Sequence, residues 1–540
     1  MTTDSTSTRP PEAAHTPLAP PHTPESAAAQ HDAAIIGQPG GLRSNTLGPW
    51  EVFAQGLAAA APSVAVASVP FALYTAAGKG AAWAAIIGLV IALLLATTIS
   101  FQARRTVSSG SLGTYTGNGL GPAFAFVGGF SLLIGYVGFS VTGTLGGVLY
   151  VDSFLLELGI GSEASWFRLL LVFLVVGLAV YLPIRGASLA AKYELVFEVI
   201  ALISIAVIIV AAYVSYGWHF DTEQWSLSNL GHSSTFVAAV TAVGAYAGFE
   251  SVASLGAEAR DPHRSISKAL LRVVLIIGVL YIIATYPQVL HFDGINGDKA
   301  ILPQLADSSG VGWVKPVTSA AVAVAFVVFV TAVTSSAARS LFTFAHEGAL
   351  PRVFAKVHSR YHTPWVGVAF VGAAALVFSV VATFSSAGRT VFDVYGAYVT
   401  NWGFLVSYLL VVIATPTWLY KIKALTPFRA IVSGLAVVAL GYVIVNNLYP
   451  VPEFPFNILP FVYLAILAAG VAWYVYLRVT RPEIAARIGT IQTLSTEEQE
   501  RLADADIADE LKADELKADE LKADELKADE PEGDSAVTPK

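Results

Sequence analysis

Carboxylates set in apolar sequence are the residues here with chemistry to offer. Glu250 lies in Gly244-Ala245-Tyr246-Ala247-Gly248-Phe249-Glu250-Ser251, within a stretch otherwise free of charge. Glu194 and Glu198 stand four apart, on one face of any helix through them. A charged side chain at bilayer depth costs a few kcal/mol or more, so each needs a partner or a task. Lys192 is placed to neutralise Glu194, which reads as a paired interfacial residue. Glu198 reads equally as structural or functional. Glu250, beside two helix-weakening glycines, reads as functional. A second feature is backbone chemistry. In Ala59-Ala60-Ala61-Pro62-Ser63 the proline removes a donor and clashes with the preceding turn. The carbonyls so freed must find partners if the segment lies in hydrocarbon.

The composition says that it does. Of 540 residues, 55% are hydrophobic and 13% charged, where a soluble domain carries roughly 25% charged. The net charge of −8 is unevenly spread: residues 481–540 hold 18 acids and 8 bases, whereas residues 1–480 are nearly neutral at +2. No basic cluster marks a nucleic-acid face. Cysteine is absent, which excludes disulfides, thiolate metal sites and cysteine catalysis. Residues 1–45 are rich in Thr, Ser, Pro and Ala, too poor in large apolar side chains to offset ordering entropy, and read as a disordered tail rather than a signal peptide. From 46 to 480, apolar stretches recur at the roughly 20-residue length of a bilayer core. The expected spans are 50–74, 81–102, 122–150, 166–184, 187–214, 234–257, 267–291, 316–345, 364–384, 392–414, 427–446 and 457–478. Their continuous apolarity favours helices over a barrel, so the fold class is an all-α integral membrane protein of about twelve transmembrane helices. Lys and Arg, Arg339 among them, split 17 to 5 in favour of the loops on the side of both termini, placing both termini in the cytoplasm and the chain in the cytoplasmic membrane. Residues 481–540 form an acidic tail with Ala-Asp-Glu-Leu-Lys repeats. Its leucines rotate about 140° per repeat and make no stripe, so it reads as a solvated spacer.

Spans one and six, both interrupted, are first in two successive sets of five. That is the pattern of an inverted repeat with broken helices at the midplane. Half-helix N-termini there offer N–H groups to an anion, and C-termini offer carbonyls to a cation. A zwitterion with adjacent carboxylate and ammonium fits both.

Three segments give the chain a family likeness: Ser109-Gly110-Ser111-Leu112-Gly113-Thr114-Tyr115 before span three, Gly248-Phe249-Glu250 leading to Glu258-Ala259-Arg260-Asp261-Pro262-His263-Arg264-Ser265-Ile266, and His346-Glu347-Gly348-Ala349-Leu350-Pro351 after span eight. Over about 46–480 the chain resembles the amino acid–polyamine–organocation superfamily of permeases. The resemblance implies a LeuT-like five-plus-five inverted repeat with two extra helices, discontinuous helices 1 and 6, and secondary active transport of an amino acid, with proton-coupled uptake. By position, Ala61, Ser63 and Val64 would offer N–H groups to the substrate carboxylate. Tyr246, Ala247 and Phe249 would surround the ammonium and side chain. Glu250, with Glu198, would serve proton coupling or gating, and Ser335 and Ser336 would fall near a cation site. No cofactor and no metal are implied beyond the coupling proton; the partners are a small amino acid or amine and the bilayer. The chain departs from the family in having Ala-Ala-Pro-Ser where many members carry Gly-Ser-Gly, and Glu198 at or near a place where some carry lysine.

Polyamines, ethanolamine, other organic amines and exchange rather than uptake are alternatives on the same architecture, as is a transporter-like sensor. A membrane enzyme is disfavoured by the absence of His-Glu-x-x-His, P-loop and Gly-x-Ser-x-Gly motifs. A channel would usually repeat its pore motif by subunit symmetry.

Overall fold

Hydrocarbon offers backbone groups no water, so an apolar segment must close its hydrogen bonds internally. The structure, a computed structural model, describes residues 46–489 apart from 163, 186, 218–219, 296–298, 385–390 and 392–394. Both tails, and the side chains of Lys192 and Glu194, lie outside the described residues. Among the described residues the architecture is all-helical, with one isolated bridge between Leu47 and Ala259.

The first expected span is two helices, α1 (Pro49–Ala60) and α2 (Pro62–Ala77), followed by α3 (Ala81–Ala103). A short amphipathic α4 (Leu112–Leu120) leads to the long α5 (Pro122–Glu157), then α6 (Ser165–Arg185) and α7 (Ala187–Ser215). The sixth span begins as α8 (Ser233–Gly244) and continues as a 3-10 segment, Phe249–Leu255. There follow α9 (Pro262–Val289), a short α10 (Ile301–Ser308), α11 (Lys315–His346), α12 (Trp365–Phe384), α13 (Gly396–Lys421), α14 (Pro427–Leu448), α15 (Leu459–Thr480) and α16 (Pro482–Arg487). Eleven segments among the described residues are long and apolar enough to cross a membrane. The first of these, Pro49–Ala103, contains both expected spans 50–74 and 81–102, which accounts for the difference from twelve. The third span runs seven residues past its expected end and takes in Asp152, which pairs with Arg168 at 3.6 Å.

Between apolar helices in lipid there is little hydrophobic drive, so close packing at small residues holds them. α5 packs along α11 and α13 through its glycines. A Cβ at Gly146 would lie 2.3 Å from the Phe326 ring, and one at Gly135 would lie 2.9 Å from Phe404. The outward faces of α6, α7, α14 and α15 expose Leu170, Phe173, Ile203, Val210, Val438 and Phe461, as lipid-facing surfaces do.

Beyond α15 the chain folds back onto the bundle. Ala485 and Ile488 are buried against Ala125, Phe126, Phe344 and Tyr474. The Gly489 N–H donates to Glu347 Oε1 at 2.8 Å. Burial pushes the Glu347 carboxyl up from 4.5 to about 8, against the opposing effect of the Gly489 N–H. Between those values the docked form holds a proton that an undocked form releases, so docking weakens as pH rises through this window and is fully present below it. Hydrogen-exchange protection of 482–489, corrected for intrinsic rates, is expected to fall as pH rises from below 4.5 to above 8. Glu347→Gln should flatten that dependence.

Candidate functional site

The break in the first span follows from two residues. Ala61 takes a left-handed backbone, φ 42°, and its N–H closes α1 onto Leu57 O at 2.8 Å. Holding a residue with a Cβ there costs roughly 1–2 kcal/mol. Pro62, with no N–H, begins α2 at the position where a missing donor matters least. The next donor, Ser63 N–H, gives its hydrogen bond to Glu198 Oε1 at 2.8 Å, and Ser63 Oγ donates to Glu198 Oε2 at 2.9 Å. A carboxylate from α7 thus caps the start of α2, where the helix dipole favours negative charge. The Ala61 and Ser63 N–H groups expected to meet a substrate carboxylate are therefore engaged inside the protein. Val64 is half-buried and packs on Ala201, Ala321 and Ala325.

The sixth span breaks where its glycines lie. After Gly244 the chain turns through Ala245–Gly248, and Gly248 has φ 106°. A Cβ at Gly248 would stand 2.2 Å from Ala59 O, so only glycine lets the two broken spans touch. Tyr246, Ala247 and Phe249 are buried in this turn. Tyr246 packs on Tyr281, ring centroids 5.2 Å apart, while Phe249 lies 5.9 Å from the Tyr408 ring. The Tyr281 hydroxyl donates to Ala245 O at 2.8 Å. The Tyr246 hydroxyl and Ser251 Oγ are buried with no protein partner among the described residues.

Glu250 is fully buried and accepts from three donors. Tyr136 Oη of α5 donates to Oε1 at 2.8 Å, Gly248 N–H to Oε2 at 2.9 Å, and Tyr408 Oη of α13 to Oε2. One carboxylate thus ties the sixth span to the third and tenth. The two tyrosines are absent from the sequence reading. Their signal is a phenol in mid-span, whose hydroxyl needs a partner when buried.

Ser335 and Ser336 are both hydrogen-bonded within α11. Arg339 Nη1 donates to Ser335 Oγ at 2.6 Å, and Ser336 Oγ donates to Ala332 O at 3.1 Å. Arg339, grouped in sequence with the loop charges, lies buried inside α11 and pairs with buried Glu258 through Nε at 2.6 Å and Nη2 at 3.2 Å. A fixed guanidinium therefore occupies the neighbourhood assigned to a mobile cation. The Glu258 carbonyl accepts from the Thr46 and Leu47 N–H groups at 3.0 and 2.9 Å, so the pair joins the entry to span one, the end of span six and span eight. No group of three or more His, Cys, Asp or Glu side chains suited to a metal occurs among the described residues.

Removing one partner of a buried ion pair leaves a bare charge and costs about 3–5 kcal/mol, whereas replacing both costs less. Arg339→Met is expected to lower the unfolding temperature in detergent sharply, and Arg339→Met with Glu258→Gln to recover part of the loss. Gly248→Ala is expected to be as damaging as Arg339→Met, because strain and the contact with Ala59 add.

The chain has relatives among known proteins. The amino acid permease family model matches residues 47–471. The branched-chain amino acid permease BcaP of Bacillus subtilis is 24% identical over 311 residues, 55% of this chain and 66% of BcaP. The low-affinity putrescine importer PlaP of Escherichia coli K12 is 26% identical over 306 residues, 54% of this chain and 64% of PlaP. The chain thus spans just under two thirds of the length of these two relatives. The methylthioribose transporter of Bacillus subtilis is 24% identical over 63% of this chain and 74% of its own length. In fold, the chain is similar to MhsT, crystallised in complex with L-phenylalanine, with a TM-score of 0.52, 13% identity, and coverage of 76% of this chain and all of that one. With the family model matched across most of its length, the chain belongs to the amino acid permease family.

Proposed function

We propose that this protein is a secondary transporter that carries small amine-bearing solutes, amino acids among them, across the cytoplasmic membrane. The observation that carries the reading is the meeting of two interrupted spans at Ala59 and Gly248, flanked by the buried carboxylates Glu198 and Glu250. Interrupted helices in lipid are tolerated where they line a binding site, and they leave backbone dipoles to hold a polar solute. The names of the relatives support the range of solutes: one a branched-chain amino acid permease, another a putrescine importer. Tyr246, Ala247 and Phe249 are the proposed lining, with the backbone at Ala61–Val64 opposite, in a five-plus-five inverted repeat. Both termini are proposed to be cytoplasmic. Setting the buried Arg339 aside leaves the loop bias at sixteen to five.

The proposed coupling ion is the proton, and Glu250 is its proposed carrier. As an anion Glu250 is satisfied by three donors. A proton on the remaining lone-pair site, on Oε1, weakens the carboxyl group as an acceptor for all three donors and adds a donor that none of them accepts, which loosens α5, α13 and the turn at Gly248. Protonation is in this way tied mechanically to the packing of three spans.

The test is counterflow of labelled amino acids and amines into proteoliposomes, with and without an imposed proton gradient. The wild type is expected to exchange at least one such solute and to accelerate uptake when the outside is acid. Glu250→Gln is expected to keep solute binding within about threefold while losing the response to the gradient. An unchanged response would remove Glu250 from coupling. A solute that binds but never exchanges would make the protein a sensor instead.

A further inference from the structure

The start of α2 is the place in this fold where a solute's carboxylate would find N–H groups, and here the protein's own carboxylate already occupies it. Both oxygens of Glu198 are engaged by Ser63, one by the backbone N–H and one by the hydroxyl, and the side chain is 2% exposed. Among the described residues no Lys, Arg or His is paired with Glu198 or Glu250, and the buried Arg339 is committed to Glu258. The site thus holds two buried carboxyl groups with no basic side chain paired to either among the described residues. A solute bringing a carboxylate would add a third beside Glu198, in a medium where like charges repel far more strongly than in water. A solute bringing an ammonium group would supply the missing charge.

An independent observation points the same way. The buried hydroxyls of Tyr246 and Ser251, in and beside the sixth-span turn, have no partner among the described residues. Hydroxyl oxygens accept hydrogen bonds, and an ammonium group brings three donors and no acceptor. Both hydroxyls lie within four residues of Glu250, one of the two carboxyl groups with no basic partner among the described residues.

We infer that the preferred substrates are organic amines that lack a carboxylate, and that Glu198 is the specificity-determining residue that meets their ammonium group. This rests on the transporter reading above and narrows its substrate class. Glu198 rejects amino acids by holding the place their carboxylate would take, and attracts amines by its charge.

The test compares solutes that differ only at the carboxylate: lysine with cadaverine, ornithine with putrescine, and leucine with isoamylamine and leucine methyl ester. Binding is read by thermal shift on the purified full-length chain, and exchange by counterflow in proteoliposomes. The wild type is expected to bind at least one amine ten or more times tighter than its parent amino acid, with the methyl ester following the amine. Glu198→Gln is expected to lose amine affinity at least tenfold and to narrow or reverse the preference, a change that a merely structural role would not produce. Should that variant fail to fold, Ser63→Ala frees Glu198 Oε2 and should shift the amine-to-amino-acid ratio while retaining binding. Parent amino acids that bind as well as their amines in the wild type would overturn the inference and leave the transporter reading intact. A folded Glu198→Gln with unchanged amine affinity would overturn it too. If neither class binds or exchanges, the transporter reading falls and this inference with it.

Discussion

An amide hydrogen left unpaired in hydrocarbon costs several kcal/mol, and that cost governs where this chain can depart from a helix. It departs inside two spans, and at each a carboxylate closes the gap. Glu198 takes the Ser63 N–H at the first, and Glu250 takes the Gly248 N–H at the second. The carboxylates are thus part of the backbone's hydrogen-bond network as much as they are chemical groups. Their desolvation is tolerable because each is met by at least two donors, and the hydroxyl donors come from distant parts of the chain or from the break itself.

The third buried acid obeys the same rule by another route. Glu258 is matched by Arg339 in a two-bond pair, and the guanidinium has enough donors left to hold Ser335 as well. Around it the extended residues before α1 run beside Ala259, exchanging hydrogen bonds at Thr46, Leu47 and Arg260. The charge pair is thereby enclosed by backbone on one side and by α11 on the other.

Much of this was legible in the sequence. Uninterrupted apolarity located the spans, and Pro62 and the Gly244–Gly248 pair located the breaks, because both signals are local. The expected start of the tenth span, 392, lies outside the described residues, and its helix continues past the expected end at 414 to Lys421, through Pro416. What the sequence could not display was pairing across it. Ser63 meets Glu198 over 135 positions, Tyr408 meets Glu250 over 158, and Arg339 meets Glu258 over 81. Periodicity says which face of a helix is apolar, but not which helix will stand opposite. Hence nothing local marks Tyr136 and Tyr408 as partners of Glu250, Arg339 reads as a loop charge, and Ser63 reads as an open donor.

The contact between Gly248 and Ala59 fixes more than a local shape. α1 packs along the 249–255 segment, is preceded by Thr46 and Leu47 pinned to the Glu258 carbonyl, and near its C-terminal end meets Gly248 with no room for a methyl group. Two pieces of chain nearly two hundred positions apart are in effect riveted into a single paddle. Were this paddle to move, both pieces would move together, and Ala61 and Gly248, where the backbone already bends, would form a shared axle rather than separate joints.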